Sequence, residues 1–186
     1  ITAAAKYFIT KQYPGVAYEC MEGLGGNGYI EDHAAARLFR QSPLNSIWEG
    51  SGNVVALDVL RTLAHPHEGP AAMAGLTREM EAARGMDTRL DAHFASLNGH
   101  LSWLQGATSD EQQRSARELV NMLARAVQGS ALVRAEGEGS DAVAAAFCAT
   151  RLGGGDGVPR SQYGCLRSAD TDPATRAAIL KRAMPQ

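Results

Sequence analysis

The chain has 186 residues, 45% of them apolar and 20% charged. That balance suits a folded domain with an extension and excludes a disordered polyelectrolyte. Its formal charge of -2 gives no overall attraction to a polyanion, so any nucleic-acid contact would have to be a local patch.

Taken in order, the chain opens with Ile1-Thr2-Ala3-Ala4-Ala5-Lys6. This is neither an initiator methionine nor a signal or transit segment, and it reads as the interior of a helix, so we expect a fragment of a longer protein. Helix formers continue over 2–24 with apolar Phe8, Val16, Met21 and Leu24, and Pro14-Gly15 predicts a kink or break there. The run Leu24-Gly25-Gly26-Asn27-Gly28-Tyr29 predicts a turn that another backbone or a ligand can approach closely. Asp32 is placed to cap a short helix through Arg40, and Ser42-Pro43-Leu44-Asn45 then breaks regularity. A second glycine-punctuated loop, Ser46-Ile47-Trp48-Glu49-Gly50-Ser51-Gly52-Asn53, leads into a helix over 53–64, whose expected buried face is Leu57, Leu60 and Leu63.

Beyond residue 68 the pattern predicts helices over 70–86, 88–104, 110–136, 140–152 and 172–183. Ser109 with Gln112 reads as a capping box, followed by a stripe of Leu119, Met122, Leu123, Ala126 and Val127. Asp172-Pro173 reads as another helix start. Between the last two helices lie the glycine-rich run 153–157 and an irregular stretch with Pro159, Tyr163 and Cys165. Strand-like alternation is absent, so the fold class is all-α, a helical bundle with additional C-terminal helices. No apolar run reaches the ~18–20 residues of a membrane span. Cys20, Cys148 and Cys165 are odd in number and far apart, which fits neither a disulfide framework nor a zinc cluster and suggests reduced thiols in the cytoplasm.

Four local patterns could carry chemistry. A carboxylate beside a large aromatic in a tight turn, as in Trp48-Glu49-Gly50, can be desolvated toward the pKa of a general base, although such a glutamate is commonly a surface residue. The glycines at 25–28 could offer backbone donors to a phosphate, or simply end a helix; their spacing matches neither a P-loop nor a dinucleotide fingerprint. His65-Pro66-His67 lacks a third ligand at metal-site spacing, so no metal is expected. Arg37 and Arg40 could clamp an anion or stand exposed and ion-paired.

In combination, Gly25-Gly26-Asn27-Gly28-Tyr29, Arg37-Leu38-Phe39-Arg40 and Ile47-Trp48-Glu49-Gly50-Ser51 resemble the signature of the acyl-CoA dehydrogenase superfamily. Trp48 and the stretch Pro43–Val54, with Leu57-Asp58-Val59-Leu60-Arg61, are similar to its AidB-like, DNA alkylation response branch. The match is close over about residues 16–63, and Phe147–Gly153 resembles the branch more loosely. The resemblance implies a C-terminal four-helix-bundle segment over 1–67 and an AidB-like helical extension over 68–186.

It further implies an FAD-dependent oxidoreductase in which Glu49 removes the α-proton of an acyl-CoA thioester. One donor to the thioester oxygen would be the Glu49 amide, placing Glu49 and Gly50 against substrate. Trp48 would wall the flavin, Ser51 would contact it, and Asn53 would reach its diphosphate or adenosine part. Gly25 and Gly26 would serve a cofactor held by a neighbouring subunit of a homotetramer. Glu22 stands where many members have glutamine, which puts its cofactor contact in question. Members also use a β-domain not found in these residues, so a longer chain or a partner chain would supply it and this chain alone would be inactive.

The same branch implies an alternative, DNA binding in the alkylation-damage response with little dehydrogenase role, through Arg160, Arg167, Arg176, Lys181 and Arg182, diluted by Asp156, Asp170 and Asp172. A third reading is an interaction module that keeps the assembly surfaces without catalysis.

Overall fold

A computed structural model describes residues 1–152, 166 and 172–184. Among these residues every regular element is helical, as the absence of alternation predicts. None of these helices is long and apolar enough to cross a membrane. The chain packs as two compact units, residues 1–70 with 107–124, and 71–106 with 125–186. Residues 107–124, placed in the extension by the sequence reading, thus group with the first unit.

In the first unit, α1 (Thr2–Gly23) is followed by the single turn α2 (Gly26–Tyr29), α3 (Ala34–Gln41), a 3-10 turn (Ser42–Ser46) and α4 (Gly52–Ala64). Pro14 lies inside α1 without ending it. It deprives the Thr10 carbonyl of its usual donor, while the Thr10 hydroxyl donates to the Lys6 carbonyl at 2.7 Å. Ala4 and Tyr7 of α1, Val55, Ala56 and Val59 of α4, and Ala116 and Val120 form the core. The buried face of α4 is therefore not the leucine face expected from spacing, since Leu57, Leu60 and Leu63 are only partly buried around this core. Small residues at 4, 56 and 116 let the backbones approach, and the leucines fill the margins. Leu119 and Val120 are wholly buried, each stabilising the fold by roughly 1.5–3 kcal/mol.

Two expected caps shift. Asp32 does not cap α3, whose N-cap is His33 with no side-chain bond. Helix α7 (Ser109–Val133) begins one residue earlier than its supposed box, because Thr108 and Glu111 cap it instead. The Thr108 amide and hydroxyl donate to the Glu111 carboxylate at 2.8 and 2.7 Å, and these bonds hold that carboxyl below its ordinary pKa. Gln112 turns to the Ala107 carbonyl.

The second unit contains most of α5 (Glu68–Ala83), α6 (Thr88–Gly106), the end of α7, α8 (Ser140–Phe147), a wide π-type turn (Cys148–Leu152) and α9 (Pro173–Ala183). Leu90, Phe94, Leu97 and Leu104 form the buried stripe of α6, joined in the core by Leu76, Met80, Cys148 and Leu152. A Cβ on Gly129 would come within 2.6 Å of Leu90 Cδ1, so only glycine fits that point of α7 without displacing the leucine. Ser130 is fully buried, with its hydroxyl 2.9 Å from the Glu79 carbonyl. Asp87 caps α6, accepting from the Arg89 and Leu90 amides at 2.8 and 3.4 Å. Asp172 caps α9 as expected, accepting from the Thr175 amide at 2.7 Å. Burial, then the Asp87 charge, pushes the Cys148 thiol up to about 12, which leaves it an inert core group.

Candidate functional site

The loop between the 3-10 turn and α4 is a sharp corner. The Ile47 and Trp48 amides both donate to the Leu44 carbonyl, at 2.9 and 3.1 Å, and α4 then starts with the Val55 amide donating to the Ser51 carbonyl at 2.9 Å. Reversing the chain in so few residues puts Glu49 at φ 49°, the one non-glycine residue with positive φ among the described residues. Such a conformation costs of the order of 1–3 kcal/mol in a residue with a side chain. Gly50 follows at φ 101°, where a side chain would be strained and its Cβ would lie 3.2 Å from Val55 Cγ2.

Two cations from outside the corner hold it. Lys6 of α1 donates from Nζ to the Trp48 carbonyl at 3.1 Å and to the Gly50 carbonyl at 2.5 Å, bridging the carbonyls of the two residues that flank Glu49. Arg117 of α7 donates from Nε to Asn53 Oδ1 at 2.7 Å. A Cβ on Gly52 would stand 2.6 Å from Lys11 Cε, so α1 lies directly under the start of α4. Neither Lys6 nor Arg117 belonged to a sequence motif. The nearest signal for Lys6 was a lone cation between Ala5 and Tyr7 on an apolar helix start.

The chemical groups at the corner face outward. Trp48 is 54% exposed, and Glu49 and Ser51 are exposed as well. The desolvation of Glu49 suggested by the sequence is therefore not produced by this chain's own residues. The Ser51 hydroxyl makes no capping bond, and the Glu49 amide has no acceptor among the described residues.

The glycine turn is built by different means. Gly25 takes φ 60°, and a Cβ on Gly28 would lie 2.0 Å from the Met21 carbonyl oxygen, so Gly28 is needed for α2 to fold back on the end of α1. Gly25 and Gly26 have nothing within 4 Å of a Cβ position and remain open. Glu22 is exposed and is engaged by Tyr18, whose hydroxyl is raised in pKa first by its hydrogen bond to Glu22 and then by that carboxylate's charge. This turn and the Glu49 corner do not converge. Lys6 and Gly23 are separated by about 25 Å of helix at 1.5 Å per residue, so within one chain they offer two separate surfaces.

The other sequence candidates have structural partners. Arg40 is ion-paired with Glu31, and Arg37 is exposed. His65 Nδ1 accepts from the His67 and Glu68 amides at 3.4 and 3.2 Å and caps α5. Of the basic residues considered for DNA, Lys181 pairs with Glu138 at 2.6 Å and Arg182 donates to the Glu138 carbonyl at 3.0 Å. Arg160 and Arg167 lie outside the described residues, as do Asp156 and Asp170.

Among the described residues the helical fold matches that of an acyl-CoA dehydrogenase carboxyl-terminal domain. Residues 1–64 match the family model "Acyl-CoA dehydrogenase, C-terminal domain", and within this segment the chain is similar to AidB. The segment is 55% identical over 62 residues to the putative acyl-CoA dehydrogenase AidB of Escherichia coli strain K12, a match covering 33% of this chain and 12% of that protein. It is 41% identical over 64 residues to acyl-CoA dehydrogenase family member 11 of Caenorhabditis elegans, covering 34% of this chain and 10% of that one. The fold of the whole chain is shared with the crystal structure of Caenorhabditis elegans ACDH-11 in complex with C11-CoA, at a TM-score of 0.64 and 21% identity. That likeness covers 100% of this chain and 33% of the other. The matched segment therefore spans only about a tenth of the curated relatives.

Proposed function

We propose that this chain contributes the catalytic-base corner of an FAD-dependent acyl-CoA dehydrogenase-like oxidoreductase, with Glu49 removing the α-proton of an acyl-CoA thioester. The observation that carries the reading is the left-handed Glu49, held by Lys6 on both flanking carbonyls within the family-matched segment. A strained backbone that the surroundings maintain is characteristic of functional positions.

The residues present fit a flavin and a thioester. Trp48 offers a half-exposed aromatic face, Ser51 a hydroxyl free of capping duty, and the Glu49 amide a donor for the developing oxyanion. Such a donor aimed at charge that grows in the transition state is worth ~10²–10³ in rate. The flavin, when bound, supplies the acceptor for the β-hydride. Glu49 would hold the α-proton, Gly50 would keep the corner narrow enough for substrate to approach, and Trp48 would exclude water. Asn53 and Glu22 are proposed cofactor contacts of lesser weight, since each already has a protein partner. The open Gly25 and Gly26 suit a cofactor on a neighbouring subunit of a homotetramer, and Leu24 and Tyr29 beside them are exposed apolar side chains that such a subunit would cover. The substrate pocket would be completed by the family's β-domain, and the intact protein is read as cytoplasmic.

The test uses the intact protein carrying these residues. Under an acyl-CoA without oxygen, the flavin should bleach. Glu49→Gln should abolish the bleaching while FAD stays bound, and reduction at the wild-type rate in that variant would remove Glu49 as the base. The DNA-binding alternative draws less support, because Lys181 and Arg182 are engaged with Glu138. It requires an affinity that falls steeply with salt.

A further inference from the structure

We propose that Lys6 is a positioning residue for the reaction: it orients and polarises the Trp48–Glu49 peptide so that the Glu49 amide is presented as a strengthened donor to the thioester oxygen. This deepens the function proposed above and rests on it.

The argument starts with the peptide group itself. In a trans peptide the carbonyl and the following N–H point in opposite directions. The Trp48 carbonyl and the Glu49 amide belong to one such group, and Lys6 Nζ sits on the carbonyl side at 3.1 Å. A charged donor on a carbonyl draws electron density through the amide and makes its N–H a better donor. The same ammonium also binds the Gly50 carbonyl at 2.5 Å, so the Trp48–Glu49 and Gly50–Ser51 peptides are tied to one point, and the corner in which Glu49 takes φ 49° is held at both ends. That point is itself anchored. Lys6 precedes Tyr7, which is 5% exposed and sits in the core with Val55, Ala56 and Val59 of α4. The Glu49 amide, with no acceptor among the described residues, is left to serve a ligand.

A lysine that only staples the turn would hold the backbone without altering how a bound thioester is polarised, and that difference is measurable. The intact flavoprotein is prepared as Glu49→Gln, to prevent turnover, with Lys6, Lys6→Met, Lys6→Gln or Lys6→Arg. A saturated straight-chain acyl-CoA labelled with ¹³C at the thioester carbonyl is bound, and its carbonyl stretch is read by isotope-edited infrared spectroscopy. The stretch should lie well below its solution value with Lys6 or Lys6→Arg, return toward that value in Lys6→Met, and fall between them in Lys6→Gln. With Glu49 restored, Lys6→Met should reduce its flavin about tenfold more slowly at saturating acyl-CoA, with FAD content unchanged.

A stretch unaffected in Lys6→Met, or a rate lost only in proportion to lost FAD, overturns the proposal. So does Lys6→Arg behaving as Lys6→Met. If Lys6→Met fails to fold, Lys6→Gln and Lys6→Arg carry the same comparison. If the wild type binds no acyl-CoA, the dehydrogenase reading falls and with it the polarising role of Lys6. Hydrogen exchange at residues 49–52 then reads the clamp separately: faster exchange in Lys6→Met leaves Lys6 as a turn staple, and unchanged exchange removes that as well.

Discussion

The two units differ in how many of their large apolar residues they leave exposed. In the first, the buried positions are rich in alanine, at 4, 17, 36, 56, 116 and 124, while Ile1, Ile9, Leu24, Tyr29, Ile47 and Trp48 are more than half exposed. In the second, the large side chains Leu76, Met80, Leu90, Phe94, Leu97 and Leu104 are inside. Among its described residues only Met86, Leu180 and Met184 are large, apolar and more than half exposed. The family match, the positive-φ glutamate and the open turn at Gly25 and Gly26 all fall in the first unit. A unit that leaves this many large apolar residues exposed presents surface for a partner to cover.

The sharpest way to break that contrast is in the second core. Leu97 is fully buried, and Leu97→Ala should cost about 2–5 kcal/mol through lost burial and the cavity left behind, read by urea unfolding. A cost below about 1 kcal/mol would mean that this core is not tightly closed.

Gly28→Ala should come next, at about 1–3 kcal/mol, because the new methyl meets the Met21 carbonyl and the main chain must yield. Gly26→Ala is its control. Nothing lies within 4 Å there, so its folding should be unaffected and any loss of FAD by the intact protein would report a ligand rather than packing.

Asp87→Asn follows, at about 1 kcal/mol near neutral pH, as for loss of a helix cap. Burial alone would raise the Asp87 carboxyl, but the Arg89 side chain, the Arg89 and Leu90 amides and the guanidinium charge together hold it below its ordinary value of 3.8. A lowered folded-state pKa stabilises fully above the unfolded value and less as the pH falls through the folded one. The gap between wild type and Asp87→Asn, followed by thermal melts, should therefore stay flat from pH 7 to about 5 and shrink only below about 4. A gap that widens on acidification would show the reverse shift.

Much of this organisation is legible in the sequence, and what is not has definite causes. Helices follow from periodicity and most of their breaks from glycine and proline, Pro14 inside α1 being the exception, and the Glu49 corner could be located because its glycines are local signals. The buried face of α4 could not, since Leu57, Leu60 and Leu63 look better suited to burial than Val55 and Ala56 until the positions of α1 and α7 are known. The cap of α7 was ambiguous by construction of the sequence: Thr108-x-x-Glu111 and Ser109-x-x-Gln112 overlap, and the charged acceptor prevails because its bonds are stronger. Lys6 and Arg117 were invisible because their bonds cross 42–44 and 64 residues, and a single long-range hydrogen bond leaves no spacing pattern.

The smallest expected change in stability is the one that tests the first unit most directly. Ile47 is 63% exposed beside Trp48, so Ile47→Ser should shift unfolding of this chain by no more than about 0.5 kcal/mol. In the intact protein the same change should weaken subunit association, measured by analytical ultracentrifugation, or loosen FAD, measured by its release on dilution. Both effects require a surface that covers Ile47, and this chain's own core does not provide one. If Ile47→Ser is neutral in every one of these measurements, the exposed apolar residues of the first unit are ordinary surface, and its difference from the second reduces to a preference for alanine inside.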